Sequence, residues 1–212
     1  MQARKTAKSA SHRRIVASAG RLMRRRGLTR ASVADVMHGA GLTVGGFYAH
    51  FRSKRAMDRE VLERTFDEVR ERTAARQAGA EGLDWLARYV GHYLAPDHRD
   101  RPETGCPAAS VIADLTHADK ALQLSLGRIV ERWSERVAAH APATDTASAR
   151  QRALATIALC VGGLTIARSL RGQPLSDEIL RACEAWAVPE RAARSSARRR
   201  TATVRARARS RS

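Results

Sequence analysis

The run Gly41-Leu42-Thr43-Val44-Gly45-Gly46-Phe47-Tyr48-Ala49-His50-Phe51-Arg52-Ser53-Lys54 constrains the fold more than any other part of this 212-residue chain. Gly41 supplies a tight turn, and Thr43 is a residue type that caps helix N-termini. Only a very short helix fits between Thr43 and a second cap at Ser53, and Phe47 and Phe51, four apart, fall on its buried side. Gly45 and Gly46 each cost such a helix about 1 kcal/mol relative to alanine. Two readings follow: side-chain bulk here would hold the backbone off a partner, or the glycines relieve packing against the preceding helix.

The rest of the chain reads as helices, and the fold class is all-α. Ile15, Ala19, Leu22 and Met23 recur at helical spacing from about Ser11 to Arg26, and Gly27 ends that helix. A short second helix fits Ser32 to Gly39. After the Gly41 turn and the short third helix, a long helix runs from Ser53 to about Gln77 with Met57, Val61, Leu62, Thr65, Phe66 and Val69 as its apolar stripe. Three short helices with a tight turn between the second and third make a helix-turn-helix module. Further helices are expected over residues 83–94, from Pro107, over 120–140, over 146–170, and from a Ser176 cap to about Val188; Pro96 to Gly105 reads as a loop.

Charge divides the chain. Residues 1–57 carry 13 Lys/Arg against one acid, Asp35; residues 58–189 carry 17 against 19; residues 190–212 carry nine Arg against Glu190. A near-neutral domain thus lies between two basic ends, the footprint of a polyanion binder, with DNA the expected partner. The partition is a basic flexible arm (1–11), a helix-turn-helix domain (12–57), a helical regulatory and dimerisation domain (58–189) and a disordered Arg-rich tail (190–212). Within Arg24-Arg25-Arg26, one side chain must turn inward or snorkel.

Cys106, Cys160 and Cys183 lie far apart without metal-ligand spacing, so reduced thiols in the cytoplasm are expected, with no metal and no cofactor. No apolar run of membrane-spanning length stands out, and no membrane partner is expected.

Taken together, Val33 and Val36, Ala40-Gly41-Leu42, the Thr43 cap, Phe47-Tyr48-Ala49-His50-Phe51 and Lys54 resemble the DNA-binding domain of the TetR family of bacterial repressors over roughly residues 12–57. Gly105-Cys106-Pro107, opening a mid-chain helix, is similar to one subgroup of that family. Ala31 departs from the pattern, standing where a capping threonine is usual, so Thr29 or Ser32 must start the second helix. The Arg-rich tail also departs from it. The resemblance implies a homodimer of all-helical subunits with a C-terminal ligand-binding and dimerisation domain. It implies two recognition helices on a palindromic operator in double-stranded DNA, and release by a small-molecule effector.

On that reading Thr43, Tyr48 and His50 hydrogen-bond phosphates or base edges, Val44 packs on a thymine methyl, and Gly45 and Gly46 permit close approach. Lys54 clamps a phosphate at a helix start, with Arg30, Ser32 and Arg52 as secondary phosphate contacts. Trp85, Tyr89, His92, Tyr93, Cys106, Ile112, Leu115 and Trp133 are the ligand-binding candidates. Leu159, Gly163, Ile166, Leu180 and Trp186 are the dimer-interface candidates. Cys106, before Pro107, is either a thiolate activated by a helix N-terminus and open to oxidants or a small core residue.

Two other classes are open to such a sequence. A non-specific architectural DNA-binding protein fits the two basic ends but leaves the shaped turn-plus-helix and the large neutral domain without use. An enzyme would need Cys106 with His92 or His117, and the chain has no nucleophile motif, phosphate loop, HExxH or carboxylate pair, so no catalytic residue is assigned.

Overall fold

The structure, a computed structural model, describes residues 2–140 and 145–188, with side chains from Thr6 onward. The expected Arg-rich tail lies outside the described residues. Every regular element among the described residues is helical: α1 (Gln2–Arg26), α2 (Val33–Gly39), a 3-10 helix (Val44–Ala49), α3 (Lys54–Arg76), α4 (Gly82–Tyr93), α5 (Pro96–Asp100), a 3-10 turn (Pro102–Thr104), α6 (Ala108–Leu115), α7 (Lys120–Ala138), α8 (Thr146–Ser169) and α9 (Pro174–Ala187).

Packing groups these into two compact units that interleave along the chain. Of the described residues, the first holds those up to Arg72 with Arg101–Val130, the second Thr73–Asp100 with those from Glu131 onward. The 12–57 and 58–189 partition rests on motif and charge, whereas the packing units rest on contacts between elements. In the first unit Ile15, Val36, Met37, Phe47, Met57, Val61 and Leu62 form the core. Arg24 is the inward member of its triplet, only 5% exposed, with its guanidinium on Glu68 at 2.8 Å.

Five expectations need correction. Helix α1 begins at Gln2, so residues 2–10 are helical and not a flexible arm. Ala3, Ala7 and Ala10 among Lys, Arg and Gln are good helix formers with no glycine or proline to stop them. The Pro96–Gly105 loop contains two short helices, because proline tolerates a helix first turn and Arg99 is held by Ser176 (2.9 Å) and Asp177 (2.5 Å). Ser176 does not cap α9: Gln173 takes the cap position, Pro174 opens the helix, and the buried Ser176 hydroxyl donates to the Ala167 carbonyl at 2.7 Å. Thr43 takes the N-cap position of the third helix but makes no side-chain capping bond, and that helix is 3-10.

The fifth concerns α8, which is long and apolar enough to cross a membrane, with mean hydropathy 1.2 over its best window. Its apolarity has a local cause, since the helix carries two apolar faces. Thr156, Cys160, Gly163 and Ala167 are buried, and an added Cβ at Gly163 would meet Cys183 Sγ at 2.7 Å, on α9. Leu154, Ala158, Gly162 and Ile166, spaced four apart, form a second row that the second unit leaves uncovered.

Candidate nucleic-acid interface

Local chemistry sets the two helices and the turn. Ser32 resolves the choice of cap: its hydroxyl accepts from Asp35 N–H at 3.0 Å, and Asp35 Oδ2 accepts in return from Ser32 N–H at 3.3 Å. The Ser32 hydrogen bonds hold the Asp35 carboxyl below its usual range. Gly41 adopts φ +64°, the left-handed conformation that the turn requires, and Arg14 donates to the carbonyls of Ala40 and Gly41. Phe47 and Phe51 are buried with ring centroids 5.6 Å apart, and Phe51 stacks on His12 at 4.7 Å. These rings fix the 3-10 helix to its unit and free its opposite side.

That opposite side carries the predicted readers. Tyr48 is 75% exposed, Val44 is 51% exposed, and Thr43 and Gly45 also face solvent. A Cβ added at Gly45 would meet nothing within 4 Å; one at Gly46 would make ordinary contact with Met37 Cε at 3.7 Å. Neither glycine has a positive φ. Packing therefore does not require glycine at either position.

His50, at the end of the 3-10 helix, is half-buried with its ring 5.9 Å from that of His12. Burial lowers its pKa, with His12 and Lys8 adding to the shift. Arg30, Ser32 and Arg52 are exposed. Lys54 follows the Ser53 cap, whose hydroxyl accepts from Ala56 N–H at 3.2 Å, and its ammonium donates to the Leu28 carbonyl (3.2 Å) and to Asp58 (2.8 Å). Burial raises the Asp58 pKa, opposed by Lys54. A cleft of about 790 Å³ at α1 and α2 is lined by Arg21, Arg25, Arg26 and His38 together with Asp35 and Glu103.

The ligand-binding candidates fall into both units. Trp85, Tyr89, His92, Tyr93 and Trp133 belong to the second, where Trp85 stacks on Tyr89 (5.1 Å) and His140 (4.2 Å) and Trp133 Nε1 donates to the Tyr89 hydroxyl at 2.7 Å. Cys106, Ile112 and Leu115 belong to the first, with Cys106 only 3% exposed. Among the interface candidates, Leu180 is buried and Gly163 is occupied by Cys183, so both serve packing inside the second unit. Ile166 is exposed, Trp186 is 86% exposed, and Leu159 is half-buried. Among the described residues no group of His, Cys, Asp and Glu could hold a metal ion.

Sequence reasoning missed Asp114. Its carboxylate accepts from the backbone of Leu28 and Thr29 at 2.6 and 3.1 Å, between α1 and α2. No periodicity or motif marks a carboxylate that bonds a backbone 86 residues away.

These elements define a helix-turn-helix module followed, among the described residues, by further helices. Residues 15–61 match the profile of bacterial regulatory proteins, tetR family. Solved structures share the fold. A TetR transcriptional regulator from Chloroflexus aurantiacus superposes with a TM-score of 0.72 at 23% identity, over 85% of this chain and 96% of that one. E. coli NemR in its reduced form gives 0.70 at 20% identity, over 84% and 94%. A putative transcriptional regulator from Saccharomonospora viridis in complex with choline gives 0.66 at 20%, over 82% and 94%. Residues 15–61 therefore form a DNA-binding domain of the TetR type, and the chain shares the fold of these solved regulators.

Proposed function

We propose that the protein is a dimeric repressor that holds a palindromic operator through the 3-10 helix of each protomer and is released by a small-molecule effector. The carrying observation is the bare outer side of that helix: Tyr48 and Val44 project from it, and Gly45 has no neighbour and no conformational need to be glycine. Thr43, Tyr48 and His50 read base edges and phosphates, and Gly45 and Gly46 let the backbone close on the groove. Lys54, Arg30, Ser32 and Arg52 hold the flanking phosphates. A second copy covers the α8 row of Leu154, Ala158, Gly162 and Ile166 together with Trp186, placing the two readers on one duplex in the cytoplasm.

The effector belongs among the aromatics Trp85, Tyr89, Tyr93 and Trp133, with His92 beside them, and the choline-bound relative supports a ligand-responsive reading. A second route, thiol modification at Cys106, takes its support from the reduced form that names the NemR structure. Burial of Cys106 favours the ligand route, because a covered thiol reacts slowly.

Selection of duplexes from a random pool by the full chain, followed by footprinting, tests this reading. One enriched palindrome with bounded protection is expected. Uniform coating without enrichment would establish the architectural alternative instead. Cys106→Ser should keep operator binding, and unchanged release by oxidants in that variant removes Cys106 as the trigger.

A further inference from the structure

The α1–α2 corner is held from outside the helix-turn-helix. Asp114, on α6, accepts Leu28 N–H at 2.6 Å and Thr29 N–H at 3.1 Å through one carboxylate oxygen. One turn earlier on α6, the Ser110 hydroxyl donates to the Arg24 carbonyl at 2.7 Å. These are orphan groups: a carbonyl of the last turn of α1, and two amides beyond its end. Gly27, at φ +82°, lies between them, and a Cβ there would meet Asp114 Oδ2 at 2.5 Å and the Ser110 carbonyl at 3.0 Å. The fit leaves no room for a side chain.

The Leu28 peptide carries the arrangement onward. Its amide is held by Asp114, while the carbonyl of the same residue accepts from Lys54, whose ammonium also binds the buried Asp58. Thr29, the second amide on Asp114, directly precedes Arg30 and the Ser32 cap. One carboxylate on α6 therefore fixes the backbone that leads to two phosphate-contact candidates and that orients a third.

We infer that Asp114 is a positioning residue for DNA recognition, setting Lys54 and the Arg30–Ser32 segment without touching DNA. The inference rests on the repressor reading above. It requires the carboxylate and not merely bulk, because an ionised acceptor holds two amides on one oxygen, and charge-assisted bonds are the stronger kind.

The charge of Asp114 gives the test a sign. By charge alone, Asp114→Asn removes an acid from a DNA-binding unit and should tighten binding to every duplex. Positioning demands the opposite on the selected site. Binding is measured by anisotropy on the duplex selected by the wild-type chain and on a scrambled duplex of equal length, well below the melting temperature. The expected result for Asp114→Asn is roughly 10-fold weaker binding to the selected site, with scrambled-site binding unchanged or tighter. Asp114→Glu should fall between the two.

Gly27→Ala, which pushes against the same carboxylate, should reproduce the loss on the selected site. In a double-mutant cycle, Asp114→Asn and Lys54→Ala should lose less together than the sum of their separate effects. Equal affinity of Asp114→Asn and wild type on the selected site, tightening on both duplexes, or strict additivity with Lys54→Ala overturns the inference while leaving the repressor reading intact. A wild-type chain that selects no sequence overturns both.

Discussion

Gly45→Ala should move stability and DNA affinity in opposite directions. The position has no positive φ, and the added methyl meets nothing within 4 Å. Replacing glycine by alanine at a compatible site stabilises by about 0.4–1 kcal/mol, through the unfolded chain's lost freedom. For a chain of this size 1 kcal/mol shifts the melting temperature by roughly 2–4 °C, so a rise of one to a few degrees is expected. On DNA the same methyl stands where the backbone closes on the groove. Displacing one base-edge contact costs about 1–3 kcal/mol, or roughly 5- to 150-fold in affinity. Scanning calorimetry and anisotropy on the selected duplex read the two effects, with Gly46→Ala as a parallel case whose methyl meets only Met37 and Thr43 at ordinary distance. A variant that binds the selected duplex as tightly as wild type would refute the close-approach argument. A variant that melts lower would refute the claim that packing leaves this site free.

Three further outcomes are expected. Burial pulls the His98 pKa from 6.5 down to about 4, against the raising effect of its hydrogen bond with the Tyr93 carbonyl. Its folded pKa is the lower one, so stability is full above pH 6.5 and falls toward pH 4 by on the order of 3 kcal/mol. Urea midpoints across that window check this, and His98→Asn should flatten the slope. Trp186→Ala should weaken self-association by roughly 2 kcal/mol in sedimentation equilibrium without loss of helical signal, and an unchanged dimer constant removes Trp186 from the interface. With Cys106 and Cys160 buried, and burial raising the Cys183 thiol's pKa, the native protein should label slowly at pH 7 and fully in guanidinium; rapid native labelling of Cys106 contradicts its burial.

What was legible in the sequence is what neighbours in sequence decide. The Ser32 and Ser53 caps, the Gly27 and Gly41 turns and the Phe47–Phe51 pair depend on partners a few residues away. Thr43 shows the limit of such signals: the residue type fits a cap, yet its hydroxyl makes no capping bond on a 3-10 helix. The helices within Pro96–Gly105 have no local signal, because Arg99 is held by Asp177, 78 residues on. Gly163 and Gly162 are adjacent and chemically identical, yet one packs against Cys183 and the other meets nothing within 4 Å. Only the rotation of α8 against α9 distinguishes them. Asp114 was invisible for the same reason, since a carboxylate chosen to hold two distant amides has no local signature.

The charge count changes meaning once partners are known. Of the 13 Lys/Arg in residues 1–57, Arg24, Arg26, Lys54 and Arg55 face Glu68, Asp35, Asp58 and Asp119, and Arg14 serves two backbone carbonyls. Lys8, Arg13, Arg21, Arg25, Arg30 and Arg52 are exposed and make no ion pair with the described residues. Within residues 8–57 these six and Lys54 are the cations best placed to be given to phosphate. At about 0.9 released counterion per neutralised phosphate, these seven account for a slope of log K against log salt of about −6 per protomer, roughly half of what all 13 Lys/Arg of residues 1–57 would give. A steeper measured slope must draw on residues outside this set, and the nine arginines of 190–212 are the largest reserve. Removing residues 190–212 should then bring the slope back to that value on scrambled and selected duplexes alike, while the ratio between the two affinities stays fixed. A change in that ratio would mean that the tail reads sequence, which arginines binding phosphate alone do not do.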